Sequence, residues 1–414
     1  MQTCVKALVS IVVAACTLLV GLEPMAGASP ASGSPWTRYY GGNQNTIAAN
    51  VLPADDGGYF IVGVTGLDFE SALPGGDVYL LRTDAGGNAL WEKTYGGEGQ
   101  DVGGSIIPMN DGNLLIVGYT SSFGAGDLDA YLIKIDQDGN ELWSRTYGGP
   151  LDEMVGGAAA TPDGGYILGG NIVDPNDVIA DPGAAGYAGL AGRSNLVLIR
   201  VDADGNELWS QTVESDDNIL ANGGVQTPDG GLLALATVLY YPVNDNDLRL
   251  LSFDGDGNVL WSRTWEDDII SGQDIIATSD GNYLIAAAYS NANAEQEDFL
   301  FIKVDSDGNE LWRSTFGDPD SIDYGSQVAE TADGGFIVVG ERAQDLYTWD
   351  VEQMLVKIDA DGRLVWQQTR SASHTMFAAV LERPDEGYDI VGSTFMGSVF
   401  NIFLTRTNAE GQLE

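Results

Sequence analysis

The sequence predicts an all-β fold: a seven-bladed β-propeller of four-stranded antiparallel blades, with the ring closed by the N-terminal strand. Three observations predict it. One phrase, seen at 136–149 as Asp-Gln-Asp-Gly-Asn-Glu-Leu-Trp-Ser-Arg-Thr-Tyr-Gly-Gly, recurs along the chain. Its tryptophan returns at Trp91, Trp143, Trp209, Trp261, Trp312 and Trp366, at intervals of 52, 66, 52, 51 and 54 residues. A period of this size marks a repeat architecture. Each period also carries two Asp-Gly turn signals between apolar runs, the mark of hairpin-connected strands. Finally, the two ends of the repeat complement each other.

The second period shows how each unit reads. A first strand spans 103–109 and a tight turn Asn110-Asp111-Gly112-Asn113 follows it. A second strand covers 114–120, the loop 121–127 leads to a third strand at 130–136, and the Asp138-Gly139-Asn140 turn delivers the fourth strand through Trp143. The first turn recurs at Asp56, Asp163, Asp229, Asp280 and Asp333, and the second at Asp204, Asp256, Asp307 and Asp361. Second strands such as Leu114-Leu-Ile-Val117 and Phe336-Ile-Val-Val339 are continuously apolar, as in a sheet covered on both faces. First strands such as Gly156-Gly-Ala-Ala-Ala160 are rich in small residues, which suits the crowded innermost position around an axis. The tryptophan falls on the outermost strand, where blades splay and a large ring fills the gap.

The ends set the blade count. The final unit reaches Gly411 and stops before its tryptophan is due, while the first pattern residues are Trp36-Thr-Arg-Tyr-Tyr-Gly-Gly42. The N-terminal strand therefore supplies the outer strand of the last blade, and this closure removes an exposed sheet edge. Six internal tryptophans plus Trp36 make seven blades.

Residues 1–28 read as a signal peptide: Lys6, an apolar run from Ala7 to Leu22, then the small residues Ala26-Gly-Ala28. A short spacer, 29–35, precedes the propeller at 36–414. The segment is too short and too poorly flanked for a membrane span, so the expected location is secreted or cell-surface. Val13-Ala-Ala-Cys16 resembles a lipobox, but the apolar run continues past Cys16, which argues against a lipid anchor there. Cys4 and Cys16 both lie in this segment, so a chain cut after Ala28 has no thiol for a disulfide, nucleophile or metal.

Composition narrows the function classes. The chain has 414 residues with 61 Asp and Glu against 18 Lys and Arg, a net charge of −43. A surface this acidic fits adaptation to high salt, where carboxylates stay hydrated and their repulsion is screened. It disfavours binding to nucleic acid and to anionic lipid. A single histidine, His374, rules out a multi-histidine metal site, and it lies in the polar stretch Ser371-Ala-Ser-His-Thr375 with no nucleophile-elbow motif. Arg38, Arg145, Arg263 and Arg313 fall on outer strands, away from the central position that sialidase-like chemistry would need.

Units of Asp-Gly-Gly-Tyr/Phe, Leu-Ile-Lys-Ile-Asp and Asp-Gly-Asn-Glu-Leu-Trp resemble those of secreted bacterial and archaeal β-propeller repeat proteins, across residues 36–414. The chain is also similar to quinoprotein-type propellers, whose blades carry an Asp, a Gly and a docking Trp in a comparable segment. Those usually have eight blades, and the cofactor ligands of the catalytic ones have no match here. The resemblance implies export and repeat-based binding, and no single activity.

Candidate binding residues come from the rim opposite the tight turns, where loops vary in length and composition; function concentrates on such loops. The largest departure is 171–195, a Gly/Ala/Asp-rich insertion with Tyr187 and Arg193. The loops leading into the blades also place carboxylates at similar positions: Asp101, Asp152, Asp217, Asp267 and Asp323. These acids are expected to ring a channel mouth and bind a polar ligand or a cation, for which calcium suits oxygen donors; otherwise they cap loops within an acidic surface. No cofactor is expected. The reading is an exported, non-catalytic, monomeric binding scaffold for a protein or polysaccharide. Two other classes are a carbohydrate-directed protein (lectin-like, or a glycoside hydrolase with two rim acids) and a quinoprotein-like redox enzyme.

Overall fold

Alternating apolar runs and Asp-Gly turns fold into 28 strands in a computed structural model of the chain. It describes residues 34–69, 75–174, 193–215, 217–240, 245–266, 269–290, 297–318, 321–343, 350–373, 375–384 and 387–413. The strands form seven four-stranded antiparallel sheets. Six are sequential meanders: blade 1 (46–95), blade 2 (101–147), blade 3 (152–213), blade 4 (218–265), blade 5 (269–316) and blade 6 (322–373). The seventh combines 375–406 with Trp36–Tyr40. The all-β, seven-bladed propeller read from the sequence is the observed fold.

In blade 2 the strands are Asp101–Pro108, Leu114–Thr120, Asp129–Ile135 and Glu141–Tyr147. The first begins two residues earlier than the turn signals suggest, because its ladder with the second runs out to the Asp101–Thr120 pair. The turns owe their shape to aspartate. Asp136 Oδ1 accepts hydrogen bonds from the backbone N–H of Asp138 (3.0 Å) and Asn140 (2.8 Å), and Gly139 sits at φ +70°. Asp202, Asp254, Asp305 and Asp359 repeat this arrangement. A side chain mimicking a turn carbonyl explains why aspartate opens each one.

Every first strand carries a bulge, as between Gly103 and Ser105 in blade 2 and between Val155 and Gly157 in blade 3. The extra residues meet at the centre. A Cβ added to Gly104 would lie 2.5 Å from the Gly156 carbonyl oxygen, so only glycine lets these inner strands approach so closely. Second strands such as Leu114–Thr120 are buried at every residue, as their continuous apolarity requires.

Neighbouring blades are joined by the recurrent tryptophan. Each indole packs on the left-handed glycine of the next blade's outer turn: Trp36 on Gly87, Trp91 on Gly139, Trp143 on Gly205, Trp209 on Gly257, Trp261 on Gly308, Trp312 on Gly362 and Trp366 on Gly411. A Cβ at Gly205 would come within 2.7 Å of Trp143, so glycine is needed for contact as well as for its φ of +76°. In three blades a tyrosine four residues after the tryptophan adds a lock. Tyr40, Tyr95 and Tyr147 donate to the carbonyls of Gly87, Gly139 and Gly205 at 2.5, 2.7 and 2.5 Å.

Closure uses the same parts and one more. Trp36–Tyr40 pairs antiparallel with Val399–Arg406, and the Arg406 guanidinium lies 5.0 Å from the Trp36 ring. Arg406 donates to both oxygens of buried Asp389 at 2.9 Å, and Tyr59 of blade 1 donates to the same carboxylate. A buried, fully hydrogen-bonded pair therefore ties the last blade to the first across the seam.

Candidate functional site

The two turn types share one rim, and the loops that enter and bisect each blade share the other. At this second rim, chain geometry places one first-strand residue per blade three positions before the bulge. Reading the ladders, that residue is Thr46, Asp101, Glu153, Ile219, Ile270, Asp323 and Thr375 in blades 1 to 7. The sequence-level alignment of carboxylates therefore needs correction. Asp101 and Asp323 are equivalent, but in blade 3 the position belongs to Glu153, with Asp152 one residue outside it. Asp217 lies two residues before Ile219, and Asp267 lies outside the described residues. The shared position lies ten residues before the first-turn aspartate, as in Asp101–Asp111, Glu153–Asp163, Ile219–Asp229 and Asp323–Asp333, whereas Asp152 and Asp217 lie eleven and twelve before theirs.

The three in-register acids are buried: Asp101 and Asp323 at 0% exposure and Glu153 at 5%. Asp101 accepts from Ser122 Oγ (2.6 Å), Gly97 N (2.8 Å) and Thr120 Oγ1. It thereby holds both rim loops of its neighbourhood, the one entering blade 2 and the one that bisects it. Asp323 is bound bidentately by Arg342, with Nε to Oδ1 at 2.7 Å and Nη2 to Oδ2 at 3.0 Å, and it accepts from Asp318 N at 2.8 Å. That pairing keeps Arg342 above its ordinary value. Glu153 accepts from Gly149 N at 3.3 Å; burial pushes its carboxyl up to about 7, with Asp129 and Asp152 adding to the effect.

Each of these acids faces a carboxylate at the start of the preceding blade's third strand. A Cβ on Gly96 would sit 2.5 Å from both Asp101 Oδ2 and Asp77 Oδ1, and one on Gly148 would sit 2.3 Å from Asp129 Oδ1 and 2.5 Å from Glu153 Oε2. Burial raises Asp77, and the Asp101 charge raises it further. Burial likewise raises Asp298, with Asp323 and Asp318 contributing. Asp129 is itself capped by the N–H groups of Ala125 and Gly126, both at 2.9 Å. The sequence reading missed Glu153, Asp77, Asp129, Asp298 and Arg342. A signal existed for the third-strand acids, which all stand just before the buried run that ends in the Lys or Arg two residues before the next turn aspartate.

The large insertion is narrower than the sequence suggests. Asn171 and Asp174 belong to the second strand and Arg193 begins the third, paired with Asp174; Tyr187, like His374, lies outside the described residues. The Asn171 amide is structural, donating to Ser194 Oγ and the Ile219 carbonyl at 2.9 Å and accepting from Ala221 N at 3.1 Å. Among the described residues, no group of three or more His, Cys, Asp or Glu is placed to hold a metal ion. No helix among the described residues is long and apolar enough to cross a membrane.

Two further features surround the rim. Asp274, fully buried in the inner strand of blade 5, accepts from Ile275 N (2.8 Å) and from Val328 N of blade 6 (3.1 Å); burial pushes it up to about 7. On the outer side, a cleft of 620 Å³ between blades 2 and 3 is lined by Phe123, Tyr131, Arg145, Tyr147, Asn206 and Glu207 among others. Phe123 comes from the rim loop of blade 2 and packs on Tyr131 at 5.8 Å between ring centroids.

Comparison with known proteins agrees with this architecture. Residues 36–266 match the family profile described as outer membrane protein assembly factor BamB. A curated relative, the regulatory protein FlaEY of Caulobacter vibrioides, is 24% identical over 228 residues, which is 48% of this chain and 23% of that protein. The chain thus spans under a quarter of that relative's length. Among solved structures, an ulvan lyase of polysaccharide lyase family 25 bound to a -[GlcA(1-4)Rha3S]- ligand superposes with a TM-score of 0.56 at 12% identity, covering 90% of this chain and 97% of its own. A puromycin hydrolase superposes at 0.50 and 16% identity, covering 91% of this chain and 53% of its own. At such identities the likeness is one of fold.

Proposed function

The chain belongs to the propeller family described as outer membrane protein assembly factor BamB, and on that premise we propose an exported, non-catalytic scaffold that recognises a protein partner through its variable-loop rim. The observation that carries this reading is the use made of the rim acids. Asp101 and Asp323 turn into their own rim neighbourhoods and are hydrogen-bonded there, Asp101 by hydroxyls and a backbone N–H and Asp323 by Arg342 and a backbone N–H. Carboxylates held this way fix loop shape, and preformed loops on a rigid ring are what a recognition surface needs. The repeated Trp–Gly contacts supply that rigidity on the turn rim. The family's named role in outer membrane protein assembly is one that such a surface could serve outside the cytoplasm, in keeping with the expected signal peptide.

A second reading, carbohydrate recognition, rests on the cleft between blades 2 and 3. There an exposed aromatic ring, a guanidinium, an amide and a carboxylate converge, a mixture suited to sugar faces and hydroxyls.

Site-specific photo-crosslinking separates these readings. A photoreactive side chain is placed at Phe123 or Glu98 on the variable rim and at Asp138 or Asp204 on the turn rim, in cells that make the protein. Discrete protein adducts confined to the variable-rim positions are the expected result. Adducts spread equally over both rims would overturn the assignment of the face. Polysaccharide retention without protein adducts would favour the second reading, and new reducing ends lost on mutating a rim acid would replace both with hydrolysis.

A further inference from the structure

The slot between blades 6 and 7 lacks the residue that fills it elsewhere. At the position four residues after each tryptophan, Tyr40, Tyr95 and Tyr147 occupy the slot and donate to a glycine carbonyl. Val213, Trp265 and Phe316 replace them in blades 3, 4 and 5 and pack against the neighbouring apolar clusters. In blade 6 the residue is Arg370. Its side chain turns aside, with Nη2 donating to Gln353 Oε1 at 2.9 Å. A cavity of 220 Å³ opens where the tyrosine ring would lie.

The lining of this cavity is specific. Its floor is apolar: Phe377 and Phe403 meet edge to face at 6.0 Å, with Ile390 and Leu355 alongside. Gln368 and Gln412 bring amides to the wall, and Gly411 stands at the outer end on the indole of Trp366. Gly411 is the counterpart of Gly87, Gly139 and Gly205, whose carbonyls receive the tyrosine hydroxyls. In a chain with 61 acidic residues among 414, none of the fourteen lining residues is acidic, and the cation among them is Arg370.

The geometry points to a binding site for a small phenolic carboxylate, a 4-hydroxyphenyl ring carrying a carboxylate group. The ring lies on the Phe377–Phe403 floor in the space the missing tyrosine leaves, clear of the Arg370 Cβ. Its hydroxyl donates to the Gly411 carbonyl, as the tyrosines do to theirs. The carboxylate meets the Arg370 guanidinium, whose planar donors suit it. An apolar cavity with a few convergent polar groups is the general form of a small-molecule site. The site is independent of the rim and of the partner proposed for it.

Calorimetric titration of the purified protein with 4-hydroxybenzoate tests this. Saturable binding at one site per chain is expected. Arg370→Tyr refills the slot and should abolish binding while leaving the thermal transition unchanged or higher, so that loss of binding is not loss of fold. Arg370→Gln should weaken 4-hydroxybenzoate at least tenfold and leave 4-hydroxybenzyl alcohol unaffected. Failure to saturate, undiminished binding by the Arg370→Tyr protein, or equal affinity of the wild type for the alcohol and the acid would each overturn the proposal.

Discussion

Asp274→Asn should change the pH dependence of stability in a way that depends on the two faces of its environment. The carboxyl is fully buried between the inner strands of blades 5 and 6, and burial lifts it from an ordinary 3.8 to about 7 against the opposing pull of two backbone N–H donors. Among the described residues, no charged group contributes to the shift. Because the folded value is raised, the contribution of the acid is fully present below about pH 4 and is lost as pH climbs toward 7. Three pH units at about 1.4 kcal/mol each put the total at about 4 kcal/mol. Asparagine cannot ionise and so escapes that loss. It also offers one acceptor oxygen where Ile275 N and Val328 N each require one, which costs about 1–3 kcal/mol at every pH. The variant should therefore be less stable than wild type at pH 4 and more stable at pH 8. Reversible denaturant unfolding of both proteins from pH 4 to 8 measures this. The wild-type advantage should shrink by about 4 kcal/mol across that range. It should respond little to salt, since the group is buried and lacks a charged partner. A difference between the two proteins that stays constant with pH would refute the reasoning.

Other perturbations follow from the same contacts. Removing the indole in Trp143→Ala empties the socket at Gly205 and should destabilise the blade 2–3 junction by about 2–4 kcal/mol, read from denaturant midpoints. Tyr95→Phe deletes one buried hydroxyl bond to the Gly139 carbonyl and should cost about 1 kcal/mol by the same measurement. Arg342→Met leaves Asp323 buried without its bidentate partner and should cost about 3–5 kcal/mol at neutral pH. Denaturant midpoints of the two proteins at neutral pH would show that loss. Asp101→Ala frees the Gly97 N–H and the Ser122 hydroxyl, so amide hydrogen exchange at 97–101 and 121–123 should accelerate while exchange in Leu114–Thr120 stays slow; uniform acceleration would mean the acid supports the whole blade.

What the sequence by itself determined is the repeat and everything local to it. Asp-Gly turns set hairpins through their own backbone and side-chain geometry, continuous apolar runs mark strands covered on both faces, and the spacing of Trp36 to Trp366 counts the blades. These are short-range or periodic properties, carried by residues close together in the chain. The shared rim position was also legible, since it lies ten residues before the first-turn aspartate and so falls on Glu153 and Ile219 rather than on Asp152 and Asp217. Only the tertiary structure decided which acids meet across blades, as Glu153 does Asp129. Pairings such as Asp77 with Asp101 and Asp274 with Val328 N join residues of neighbouring blades, and the raised values of Asp77 and Asp274 depend on how those blades meet. The same holds for the slot at Arg370, because a missing tyrosine becomes a cavity only when the next blade fails to fill it. Composition and period specify the ring, while the chemistry along its seams arises where one blade's side chains close over another's backbone.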